Sequence, residues 1–313
     1  MDNKRLTYVL AIVKEGRISA AAKKLYISQP ALSQAIKAIE EEIGAPILRR
    51  DTSFISLTYE GELYVKMLMQ MQELQDNFSR QISDFSQSRA GKITLGVSAM
   101  RAQQLLPQLL PALRRELPGL ELRLVHGNNR KHLTQIVEEG QVDFAISGGP
   151  RPWGMKIEVL TRCNFIIIVS RNHPMSLKYG GEKDWRKKPE VTFHDFSDDC
   201  FILNFPGQGG RTNSDYLMNL EGFTPRSYIE VFDYSTLVRL ADEGMGAAIL
   251  SDNSVFAQYD RLNGCLFKLS TSFVSETFLF YRSTLYISGL MQKFIDMCKT
   301  VPIWRWPDLL DIK

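Results

Sequence analysis

Residues 19–44 read SAAAKKLYISQPALSQAIKAIEEEIG, a run of helix-favouring Ala, Leu, Ile, Lys and Glu. It breaks once, at Ile27-Ser28-Gln29-Pro30. Ser28 suits a helix N-cap, and Pro30 suits a first turn, where its missing N–H costs nothing. On a helix over residues 29–44, at about 100° per residue, Leu32, Ile36, Ile39 and Ile43 share one side, with Ala35 at its margin. Gln29, Pro30, Ser33, Gln34 and Lys37 take the opposite side. The preceding helix, about residues 19–25, is Ala-rich on one face, so another helix can approach it closely. Two short helices joined by a tight turn form a helix-turn-helix.

In that motif the first half of the second helix enters the DNA major groove. Gln and Ser can donate to and accept from base edges, and Lys reaches guanine or phosphate. Glu40, Glu41 and Glu42 would be repelled by phosphates, which confines contact to the first half. The segment PILRRDTSFISLT, residues 46–58, reads as two short strands around a turn, a wing that carries Arg49 and Arg50. Thr58 then caps a long helix. Its apolar residues Leu63, Met67, Met71, Leu74, Phe78, Ile82 and Phe85 fall at spacings of three and four. A stripe so long and narrow predicts a helix paired with its twin, hence a homodimer. The mean spacing is nearer eleven residues per three turns than a heptad, so strong left-handed supercoiling is not expected.

Residues 18–61, ISAAAKKLYISQPALSQAIKAIEEEIGAPILRR…LTYEG, resemble without a gap the N-terminal signature of LysR-type transcriptional regulators. The resemblance implies an α/β protein in three parts. They are a winged helix-turn-helix over residues 1–57, a linker (dimerisation) helix over 58–90, and a regulatory domain over 91–313. The last is two-lobed and similar to type II periplasmic binding proteins, with lobe I at 91–161 and 269–313 and lobe II at 162–268. It implies DNA contacts from Ser28, Gln29, Ala31, Ser33, Gln34, Lys37, Arg49 and Arg50, and dimerisation through Leu63, Met67, Met71, Leu74 and Phe78. The implied partners are double-stranded operator DNA, a small-molecule effector and RNA polymerase, with homotetramers as the family's larger assembly. Two departures stand out. Many members carry an Arg in the wing turn, which here is Asp51-Thr52-Ser53-Phe54, leaving Arg49 or Arg50 to anchor the wing. The family often has Arg at the position of Gln34, which suggests a different operator preference.

After residue 91 the pattern alternates strand and helix, which predicts parallel α/β units. KITLGVS, LELRLVHG and VDFAISGG are strands separated by helices. NFIIIVSRNHPM opens a second lobe, and TFLFYRSTLYISGLMQKFIDMCK returns to the first. Chain crossings are expected near residues 160–163 and 266–269. Small molecules bind such folds at the C-terminal ends of parallel strands. Ser98, Met100, Arg101, Asn128, Gly148, Asn204, Phe205, Asp233 and Tyr234 fall there and match the loops that line the effector pocket in the family. Each has a plainer reading: Met100, Phe205 and Tyr234 as packing residues, Gly148 as a turn, Asn128 as a helix cap. Arg101 is the only full positive charge of the set, which favours a small carboxylate. Asp233 could pair with an amine and favour a zwitterion, or close an empty cleft by pairing with Arg101.

Composition narrows the alternatives. A chain of 313 residues suggests two or three domains, and 44% hydrophobic residues can fill their cores. The net charge of +3 argues against a large basic patch but allows a small DNA-reading module. No apolar run has the length of a membrane span and the N-terminus is polar, so a cytoplasmic protein is expected. Cys163, Cys200, Cys265 and Cys298 form no C-x-x-C pair and are read as reduced thiols, not a redox switch. Gly207, Gly209 and Gly210 lack the G-K-[ST] of a phosphate loop. His126, His132, His173 and His194 belong to no nucleophile pattern. An enzyme, a metal centre and a cofactor are therefore not expected, and a carrier without DNA function would not need residues 1–61.

Overall fold

The computed structural model describes residues 3–49, 54–85, 90–182, 184–255, 262–271 and 273–302. The chain divides into two compact units, Met1–Ser86 and Gln87–Lys313. In the first, α1 (Asn3–Glu15), α2 (Ile18–Lys24) and α3 (Gln29–Ile43) precede β1 (Leu48–Arg49), β2 (Ser56–Leu57) and α4 (Tyr59–Phe85). The core joins Val9 and Ile12 of α1, Ala21 and Ala22 of α2, and Leu32, Ile36 and Ile39 of α3 to Ile47, Tyr64 and Val65. The two alanines allow the close helix approach expected of them. Ile43, placed on the apolar side by periodicity, is instead 37% exposed because α3 runs past its core. The helix stops at Gly44, whose φ of +76° suits glycine. β1 and β2 pair antiparallel, Leu48 opposite Leu57 and Arg49 opposite Ser56. Arg50 and wing-turn residues 51–53 lie outside the described residues.

The three glutamates of α3 are tied down rather than left as a repelling cluster. Glu40 Oε1 accepts the backbone N–H of Ile47 at 3.0 Å, Glu41 pairs with Lys37 at 3.6 Å, and Glu42 with Arg5 at 2.8 Å. Glu40 thus holds the wing's entry to the helix.

Thr58 caps α4, accepting Gly61 N–H at 3.0 Å and donating its hydroxyl to Pro46 O at 2.7 Å. At Gly61 the helix lies directly against the wing backbone, and an added Cβ would overlap the carbonyl oxygen of Ile47. Gly61→Ala is therefore expected to destabilise the N-terminal unit by about 3 kcal/mol, the scale of forced overpacking against rigid backbone. A melting transition of that unit within a degree of wild type would refute the close approach. α4 buries Tyr64 and Val65 in this core, so its first turns pack with the N-terminal unit.

The second unit holds two five-stranded mixed sheets. The first, in order β4-β3-β5-β12-β6, contains β3 (Gly91–Val97), β4 (Leu120–His126), β5 (Phe144–Gly148), β6 (Met155–Cys163) and β12 (Ser275–Arg282). The second, in order β11-β7-β10-β8-β9, contains β7 (Phe165–Val169), β8 (Cys200–Asn204), β9 (Ser227–Val231), β10 (Ala247–Ser251) and β11 (Cys265–Lys268). Helices α5 (Ala99–Glu116), α6 (Arg130–Glu138) and α10 (Gly289–Lys299) belong to the first lobe, and α7 (Pro174–Tyr179), α8 (Gly209–Leu220) and α9 (Tyr234–Asp242) to the second. β3 pairs parallel with β4 and β5, and β8 with β9 and β10, but β12 runs antiparallel to both neighbours and so does β7. The parallel pairing expected of KITLGVS, LELRLVHG and VDFAISGG holds for β3, β4 and β5, while the strands entering and leaving each lobe pair antiparallel, because the chain changes lobes there without a crossover helix.

β6 stays in the first sheet through Cys163, so the chain crosses at Asn164; β11 stays in the second through Lys268, and the return follows it. Apolar alternation continues through both points and gives no sign of the change. The tail at 303–313 lies outside the described residues.

Candidate DNA-reading face and effector cleft

On α3 the core side is filled by Leu32, Ile36 and Ile39, which leaves Gln29, Ala31, Gln34 and Lys37 exposed and Ser33 half-buried. Ser28 accepts the N–H of Ala31 at 3.3 Å as N-cap, so its hydroxyl hydrogen remains free to donate. Lys37 is paired with exposed Glu41, a contact that costs little to exchange for a phosphate. Arg49 is exposed on the wing strand.

In the regulatory unit the expected residues separate. Ser98 caps α5, accepting Arg101 N–H at 3.4 Å, and Met100 is half-buried beside it. Asn128 is exposed and donates its backbone N–H to His132 Nδ1; the cap of α6 is Asn129, which accepts His132 N–H at 2.9 Å. Asp233 is exposed and caps α9, accepting Thr236 N–H at 2.8 Å and the Thr236 hydroxyl at 2.5 Å. Those bonds hold its carboxyl below the usual range, and it makes no ion pair with Arg101. Phe205 is 42% exposed with its ring 6.3 Å from that of Phe232. Asn204 is buried at the end of β8, its amide oxygen where a Cβ on Gly210 would stand.

Arg101 is the centre of what remains. It is 8% exposed, and among the described residues its guanidinium has no carboxylate partner. Its one side-chain hydrogen bond runs from Nη1 to Gln104 Oε1, 3.1 Å. Burial pulls its pKa down, yet an arginine remains charged at neutral pH. It also sits in the first turn of α5, at the positive end of the helix dipole. Around it are Tyr234, whose hydroxyl burial pushes far up, and Cys163, whose thiol burial pushes to about 11. Thr277 Oγ1 is buried and unpaired, while the buried Tyr234 hydroxyl faces the side chain of Ser254. Arg101 Nη2 lies 3.4 Å, and Thr277 Oγ1 3.9 Å, from where a Cβ on Gly148 would stand, so guanidinium and hydroxyl border one spot that glycine leaves open. The first lobe supplies Arg101, Gly148 and Thr277, and the second supplies Tyr234. On the other face of α5, Ala102, Gln103, Leu106, Pro107, Leu110 and Pro111 line an open apolar groove that none of these polar groups enters.

Sequence reasoning missed Gln104 and Thr277. Gln104 had a signal, since with Arg101 it is a polar residue on the face of α5 that Leu105, Leu109 and Leu113 bury. Thr277 had none, because a threonine in a strand is ordinary.

A helix-turn-helix unit followed by a two-lobed α/β unit with a buried arginine near the lobe crossing is the layout of a ligand-responsive DNA-binding regulator. Residues 4–62 match the model of the bacterial regulatory helix-turn-helix protein, lysR family, and residues 86–302 match the LysR substrate binding domain. The chain belongs to the LysR family. It is a DNA-binding transcriptional regulator with an effector-binding domain, and not an enzyme. Among curated relatives, a probable RuBisCO transcriptional regulator of Trieres chinensis is 25% identical over 262 residues, 80% of this chain and 81% of the relative. The regulator CbbR of Rhodospirillum rubrum is 27% identical over 245 residues, 78% of each. Among solved structures, a full-length OxyR variant from Pseudomonas aeruginosa has a TM-score of 0.68 at 20% identity, covering 96% of this chain and 98% of that one. CbnR in complex with its target DNA has 0.61 at 20%, covering 96% of this chain and 99% of that one. At that identity the structures speak for the fold. Among the described residues no helix is long and apolar enough to cross a membrane, and no cluster of side chains could hold a metal ion.

Proposed function

We propose that the protein reads an operator as a homodimer through α3 and the wing, and that a small carboxylate with an apolar body, bound between the lobes, sets its activity. The observation that carries the effector class is Arg101, a buried guanidinium without a carboxylate partner. Such a charge costs several kcal/mol unless an anion offsets it, and the unpaired Thr277 hydroxyl offers a further donor to the same ligand. A zwitterion is disfavoured, because the carboxylate that would hold its amine, Asp233, is engaged with Thr236. Half-buried Met100 and the Tyr234 ring supply apolar surface. Cytoplasmic residence, contact with RNA polymerase and assembly into tetramers follow from the family reading.

Gln29, Ser33, Gln34 and Lys37 are assigned to the major groove, with Arg49 on the backbone. Gel shifts with the protein's own upstream intergenic DNA test the first part. Gln34→Ala should weaken that site by roughly 1–3 kcal/mol with little change on unrelated DNA; equal losses on both would place Gln34 on the backbone or off the DNA. A thermal-shift panel of small organic acids against their neutral amides tests the second. Stabilisation by amides alone would exclude the carboxylate.

A further inference from the structure

Gln104 is 5% exposed and uses both ends of its amide. Oε1 accepts from Arg101 Nη1 at 3.1 Å, while Nε2 donates to the backbone carbonyl of Ser254 at 3.5 Å. The first partner is one turn earlier on the same helix of the first lobe. The second lies in the short 3-10 turn Asp252–Ser254, which directly follows β10 of the second lobe. That turn is bound to the lobe crossing: Asp252 N–H donates to Asn164 O at 3.0 Å, and Asn164 N–H donates to Asp252 Oδ2 at 3.2 Å. Asn164 is the single residue between β6 and β7. An unbroken chain of contacts therefore runs from the guanidinium, through one amide, to the point where the chain passes between lobes.

We propose that Gln104 is the positioning residue that passes occupancy of the Arg101 site to the second lobe. This rests on the reading of that site as the effector site. A neutral amide oxygen is the guanidinium's side-chain acceptor. An arriving anion makes a charge-assisted hydrogen bond roughly twice as strong and draws the guanidinium toward itself. Gln104 then loses the bond that fixes its orientation, and the long Nε2–Ser254 contact, at the limit of hydrogen-bond geometry, is what yields. The turn at 252–254 is freed from α5, and its hold on Asn164 carries the change to the crossing.

Hydrogen–deuterium exchange on the full chain tests this, read on peptides covering residues 251–255 in wild type, Gln104→Leu, Arg101→Met and the double variant. Each single variant should speed exchange there about fivefold, what losing one ordinary hydrogen bond gives, and the double variant should be no faster than either. Gln104→Glu should match Gln104→Leu on these peptides, because it keeps the acceptor for Arg101 but loses the donor to Ser254. Sodium benzoate and sodium succinate serve as probes. An acid that raises the wild-type melting temperature should also speed exchange at 251–255. In Gln104→Leu it should raise melting without a further change in those peptides. Wild-type exchange in Arg101→Met, or additive effects in the double variant, would overturn the relay even if the acids bind. If neither acid shifts wild-type melting but the two single variants share one non-additive effect, the relay stands and the carboxylate reading is what loses support.

Discussion

Arg101→Met is expected to raise the melting temperature of the regulatory unit while abolishing its response to small organic acids. The substitution keeps an unbranched side chain of similar reach and removes a charge that is 8% exposed, without a carboxylate partner, and at the positive end of α5. Replacing even well-paired buried ions by apolar residues often stabilises by 1–4 kcal/mol. An unpaired one should yield about 2 kcal/mol, or roughly 4–8 °C for a unit of this size. A gain in stability with loss of response is what a site built to await its ligand gives. Differential scanning fluorimetry with and without the acid panel reads both effects. Lower melting would mean that Arg101 is a structural ion whose partner is already in place. An acid response equal to wild type would mean that the ligand sits elsewhere. Exchange at residues 251–255 should rise in the same variant, so local opening and global stability would move in opposite directions, which a general loosening of the fold cannot do.

Met71→Glu combined with Leu74→Glu should convert the protein to monomers. Leu63, Met67, Met71, Leu74, Phe78 and Ile82 are all exposed along one side of the 27-residue α4, while Val65 on its other side is buried. A helix about 40 Å long that leaves six large apolar side chains in water lacks a partner, and a second copy supplies the same stripe in register. Across a two-fold axis the double substitution removes four buried side chains and opposes like charges. That is on the order of 6 kcal/mol, or about four decades in Kd. Sedimentation equilibrium at micromolar concentration is the measurement; an unchanged assembly mass would assign the stripe another partner. Loss of the dimer should also weaken binding to a two-half-site operator far more than to a single half-site.

The sequence by itself determined the local elements and their faces. Ser28, Pro30 and Gly44 bound α3 because capping, a missing N–H and positive φ act over a few residues. Leu32, Ile36 and Ile39 define its buried side because a helical period fixes their angle. The stripe on α4 was readable for the same reason, and so was Arg101 as the lone charge after the first strand of the α/β region. What the tertiary structure decided is where separate segments meet. Glu40 and Glu42 of α3 find their partners only when Ile47 and Arg5 are brought to them. The lobe crossings fall at Asn164 and after Lys268 because strand pairing, which couples positions far apart in sequence, decides how long β6 and β11 continue. Gln104 reaches Ser254 across 150 residues, and Gly148 and Thr277 come beside Arg101 only because β12 pairs with β5. Local patterns fix a residue's face and its cap; its partner depends on long-range pairing, which leaves no periodic mark on the chain.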